Sequence, residues 1–65
     1  MAISLKAARV NSNLTQKEAA ERLGIAVDTL RMYEAGKTFP DVPVIKKIES
    51  LYSVSYNDIN FFVNE

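Results

Sequence analysis

Two glycines twelve residues apart, Gly24 and Gly36, limit what this chain can become more than any other feature. Each ends a short run with helical spacing. Thr15 followed by Glu18 forms a capping box, which starts a helix there. Ala19, Ala20 and Leu23 give that helix a small apolar stripe. Gly24 stops it, because glycine adopts a left-handed conformation at little steric cost. Ile25 follows at once and suits a turn residue tucked into the core. In the next run Leu30 and Tyr33 lie three apart on one face, and Gly36 closes it in the same way. Residues Leu14 to Gly36 therefore read as two short helices joined by a tight turn.

The rest must fit around that unit, in one domain of 65 residues, 1–65. A domain of this size buries only about 60% of the surface its unfolded chain exposes, so its stability is modest. It has no Cys, which excludes disulfides and thiolate metal sites, and no His, which removes the commonest general base and neutral metal ligand. Oligomerisation is the remaining reinforcement. No stretch approaches the roughly 18 apolar residues that cross a bilayer. No charged-then-apolar leader opens the chain, so a soluble cytoplasmic protein without membrane association is expected. The formal net charge is zero, but residues 1–47 carry eight bases and five acids, +3, and residues 48–65 carry three acids and no base, −3.

Ser4 is a plausible N-cap for a first helix running to about Asn11, with Leu5 and Ala8 inward and Arg9 beside them. The Asn11-Ser12-Asn13 cluster ends it, and Leu14 packs back onto the following helix as a staple. After the loop Lys37-Thr38-Phe39-Pro40, Asp41 looks like the N-cap of a fourth helix that tolerates Pro43 in its first turn. Val44, Ile45, Ile48, Leu51 and Tyr52 form its buried face. Ser55 with Asp58 is a weak capping pair, and a short fifth helix from Tyr56 to about Phe62 would bury Ile59 and one phenylalanine. The expected fold is a compact, all-α, five-helix domain.

The unit resembles the helix-turn-helix family of the phage Cro and lambdoid repressor type, the Cro/C1 or XRE-like group. The resemblance rests on Gln16, Ala20, Gly24-Ile25, Leu30 and the closing Tyr33-Glu34-x-Gly36-Lys37, and extends from about Leu5 to Phe62. It implies a lambda-repressor-like DNA-binding domain whose second motif helix enters the major groove while the first crosses the backbone. It assigns base contact to Val27, Asp28, Thr29 and Met32. Val27 and Met32 can meet a thymine methyl or be spare apolar surface. Asp28 can accept from cytosine N4 or simply complement the helix dipole. Gln16, Lys17, Arg31, Lys37 and Thr38 are the expected backbone contacts. The resemblance also implies a partly buried ion pair, Arg9 with Glu34, tying the first helix to the end of the recognition helix.

Three features depart from the family pattern. Ala26 stands where Ser or Thr usually caps the recognition helix, Ala19 replaces a larger aliphatic residue, and Arg31 is the only base on the recognition surface. A single domain should then bind DNA weakly, and useful affinity needs two copies on half-sites about 34–36 Å apart. Phe61, Phe62 and Val63 are the expected homodimer contact, or else a last turn sealing its own core. The expected function is a transcriptional regulator of phage or bacterial type, acting on a double-stranded operator with no cofactor, metal or small-molecule ligand. A protein-interaction module on the same fold, antitoxin-like or antirepressor-like, is the rival. An enzyme is not expected, since no acid–base constellation is present.

Overall fold

The structure is a computed structural model, and it describes residues 2–61. Four helices carry the fold: α1 Leu5–Asn11, α2 Gln16–Leu23, α3 Val27–Glu34 and α4 Val42–Tyr52. Local chemistry starts three of them as expected. The Ser4 hydroxyl accepts from the Ala7 N–H at the head of α1, and the Asp41 carboxylate accepts from the Val44 N–H at the head of α4. At α2 the capping box is complete: the Glu18 N–H donates to the Thr15 hydroxyl at 3.1 Å, and the Thr15 N–H donates to the Glu18 carboxylate at 2.9 Å. The Thr15 N–H, and then the Thr15 hydroxyl, hold the Glu18 carboxyl below the usual carboxylate range. Ala26 offers α3 no side-chain cap.

One device ends all four helices. A residue in left-handed conformation follows each: Asn13 (φ 59°), Gly24 (φ 73°), Gly36 (φ 74°) and Ser53 (φ 54°). The next N–H then reaches back to a carbonyl five residues earlier: Leu14 to Arg9, Ile25 to Ala20, Lys37 to Met32 and Val54 to Glu49. A Cβ on Gly24 would meet nothing closer than the Lys47 Nζ at 3.7 Å, so backbone angle and not crowding selects glycine there.

The core gathers Leu5, Ala8, Ala19, Ala20, Leu23, Leu30, Ile48, Tyr52, Ile59 and Phe61. Ile3, Leu14, Ile25, Tyr33, Val44, Leu51 and Val54 pack against it. Ala19 and Ala20 let the other helices come close to α2, which is fully enclosed at those two positions.

The C-terminal part corrects the five-helix expectation. Tyr56–Asp58 is a single 3₁₀ turn, and Ile59–Asn60 is a strand, β2, pairing in parallel with β1, Ile3–Ser4. Ile3 lies opposite Ile59 and Ser4 opposite Asn60. Over the described residues the fold is thus four α-helices plus a two-stranded ribbon, not purely α. The reason is local. Ile59, Asn60 and Phe61 alternate buried, exposed, buried, which is a two-residue period. The segment from Ser53 to Phe61 also holds no Ala, Leu, Glu, Lys, Gln or Arg, the residues that favour helix. The expectation that Ile59 and one phenylalanine would be buried describes the right side chains on the wrong element.

Candidate nucleic-acid interface

α3 is amphipathic in a way that leaves one stripe free. Leu30 is fully buried and Tyr33 half-buried, while Val27, Asp28, Arg31 and Met32 are exposed and Thr29 is half-buried. On a 3.6-residue helix the exposed four fall along one side, running from its first turn into its last. Val27 and Met32 stay 39% and 37% exposed, a sizeable apolar area to leave in water.

The other end of α3 is fixed by a network linking three elements. Arg9 of α1 is buried, and its Nε donates to Glu34 Oε2 at 2.7 Å. Its Nη2 reaches Glu34 Oε1 at 3.3 Å, and its Nη1 donates to the Leu14 carbonyl at 2.9 Å. The Gln16 amide of α2 adds a bond to Glu34 Oε1 at 3.0 Å. Glu34 therefore receives donors from two side chains, and the guanidinium also ties down the chain leading into α2. Fork-to-fork contact of this kind is the geometry that suits Arg and carboxylate.

The network changes what is open to Gln16. The expected phosphate contact is half-buried and already gives one donor to Glu34; a side-chain amide has a second N–H, which no other described group takes. Lys17 next to it is exposed, as are Lys37 and Thr38 beyond Gly36. These residues stand at the N-terminal end of α2 and just past the C-terminal end of α3, the two ends that the Gln16–Glu34 bond joins.

Two further features were not among the expectations. Tyr52 of α4 is buried with a hydroxyl that has no hydrogen-bond partner among the described residues. Burial, and then the Glu34 charge, push its ionisation up to about 12, opposed by Arg9. On the free stripe, Arg31 Nη2 donates to Asp28 Oδ1 at 2.9 Å, with the two side chains 61% and 79% exposed. Their i,i+3 spacing was a readable signal for this pair.

The expected dimer contact is corrected at one residue. Phe61 is buried inside its own monomer, 5.1 Å from the Phe39 ring and 5.7 Å from the Tyr56 ring between centroids. Phe62 and Val63 lie outside the described residues. Among the described residues no helix is long and apolar enough to cross a membrane, and no cluster of acids could hold a metal ion.

The family model described as Helix-turn-helix matches residues 5–59. The chain is 45% identical over 51 residues to the HTH-type transcriptional regulator ImmR of Bacillus subtilis, covering 78% of this chain and 40% of that protein. It is 32% identical over 65 residues to an HTH-type transcriptional regulator of Archaeoglobus fulgidus, covering all of this chain and 92% of the relative. It is 31% identical over 55 residues to the HTH-type transcriptional activator BcrR of Enterococcus faecalis, covering 85% of this chain and 27% of that protein. No solved structure matches.

Proposed function

This chain belongs to the helix-turn-helix family, and from that premise we propose that it is a sequence-specific regulator of transcription that binds double-stranded DNA. The observation that carries the reading is the asymmetry of α3: its C-terminal end is locked by Arg9 and Gln16 through Glu34, while Val27, Asp28, Arg31 and Met32 face water. A helix so presented fits the major groove, with its first turns toward the base edges. Gln16 and Lys17 at the head of α2, and Lys37 and Thr38 just beyond α3, meet the phosphates.

The protein acts as a homodimer on two half-sites, because one copy carries too few phosphate contacts for tight binding. Phe61 takes no part in that contact. The exposed faces of Phe39 and Tyr56, which flank it, supply apolar surface on the same side of the monomer.

Selection of bound sequences from a random duplex pool tests the reading, followed by affinity measured across salt. A pair of repeated half-sites about one helical turn apart, with affinity falling steeply as salt rises, is the expected result. A chain that retains no duplex at low ionic strength sinks it. The rival, an interaction module on the same fold, is favoured by the zero net charge and by the neutralised Asp28–Arg31 pair. It predicts no such salt dependence.

A further inference from the structure

We propose that Arg31 reads a guanine base edge, with Asp28 as the residue that positions it; the proposal rests on the DNA-binding reading above. Arg31 was expected to touch the backbone and Asp28 to touch a base, and the geometry reverses those roles. Arg31 spends one N–H of Nη2 on Asp28 Oδ1 at 2.9 Å. A guanidinium has five N–H donors, so four remain, and none has a partner among the described residues. Whichever Nη2 hydrogen meets Asp28, one parallel pair is left: Nη1 with Nη2 at the tip, or Nε with Nη2 along the side. That pair matches the O6 and N7 acceptors of guanine in the major groove, and no other base offers two acceptors there in that arrangement.

Charge decides between base and phosphate. A carboxylate against the guanidinium makes the Asp28–Arg31 unit neutral as a whole. Asp28 would repel a phosphate brought to Arg31, whereas a guanine edge carries no net charge and is not repelled. The carboxylate also narrows the conformations of a long flexible side chain, so less freedom is lost when the base is met. Both residues lie on the free stripe of α3 with Val27 and Met32, and both are largely exposed. Neither touches the core, so substitutions there act on recognition and not on folding.

The test uses the full chain and its R31A, R31K and D28N variants. A selected duplex is compared with the three single-base replacements of its guanine. The wild type is expected to lose about 5- to 150-fold in affinity on replacing that guanine, the range for one bidentate contact. R31A should bind all four duplexes alike, and R31K should lose most of the preference, because an ammonium lacks the fork. D28N should still prefer guanine, with discrimination reduced several-fold. Melting temperatures should stay close to wild type throughout.

Three results overturn the assignment alone. The first is a selected site with no guanine whose effect depends on Arg31. The second is an R31A variant that weakens every duplex by one factor and lowers the salt slope by about one, the mark of a phosphate contact. The third is a D28N variant with unchanged discrimination. A wild type that selects no duplex overturns the parent reading together with it.

Discussion

Helix α3 carries an ion pair at each end, and the two are opposites. Arg9–Glu34 has side chains only 10% and 5% exposed, whereas Arg31–Asp28 has side chains 61% and 79% exposed. The shortest distances are nearly the same, 2.7 and 2.9 Å. Their energetics differ because their surroundings do. An exposed pair contributes a few tenths of a kcal/mol and is screened by salt. A buried pair adds little net stability, since desolvation offsets attraction, but leaving either partner alone is costly. One helix is thus clamped at its C-terminal end and left free to exchange partners at its N-terminal end.

Breaking the clamp should give the largest effect. Arg9→Ala or Glu34→Ala should lower unfolding free energy by about 3–5 kcal/mol in urea titrations. The double mutant should be far less destabilised than the sum, and strict additivity would mean that the pair is no unit. Gln16→Ala removes a single bond to the same carboxylate, with an expected loss of about 1–2 kcal/mol measured in the same way. A loss as large as that of Glu34→Ala would shift the clamp from Arg9 to Gln16.

Tyr52 sharpens the comparison from behind. Its hydroxyl has no partner among the described residues, so Tyr52→Phe should be neutral, or stabilising by up to about 1 kcal/mol, at pH 7. Its ionisation is raised from 10.0 to about 12 in the fold. The unfolded chain therefore loses this proton first as pH rises. The associated stability is complete below pH 10 and disappears as pH climbs to about 12. Thermal melts across that window should fall more steeply for the wild type than for Tyr52→Phe. The smallest change belongs to the free end: Asp28→Ala should move stability by less than about 0.5 kcal/mol, and by less still in molar salt.

Legibility followed range. Thr15 with Glu18, Gly24 and Gly36 each act on neighbours within a turn, so their effects were readable from adjacent residues. Leu23, Leu30 and Ile48 were readable as core from helical period. The partnership of Arg9 with Glu34, 25 residues apart, came only through family resemblance, and the Gln16 bond to Glu34 was not visible at all. Nothing local announces which distant carboxylate an amide will meet. The tail was misread for a different reason. Ser55 and Asp58 imitate a helix start, and the hydroxyl does cap one turn through the Asn57 N–H. The strand that follows depends on Ile3, which lies at the far end of the chain. Phe61 was expected at an outer surface because the ring pocket between Phe39 and Tyr56 exists only once the loop before α4 has folded back.

The parallel ribbon also fixes an order of events during synthesis. Ile3 is made before the four helices, yet its partner Ile59 comes after all of them. No crossover can be shortened to close that pairing sooner, since parallel strands require a long return path. The ribbon is thus a contact of long sequence separation laid over helices whose own contacts are more local, and such pairing carries a large loop-closure cost before it is rewarded.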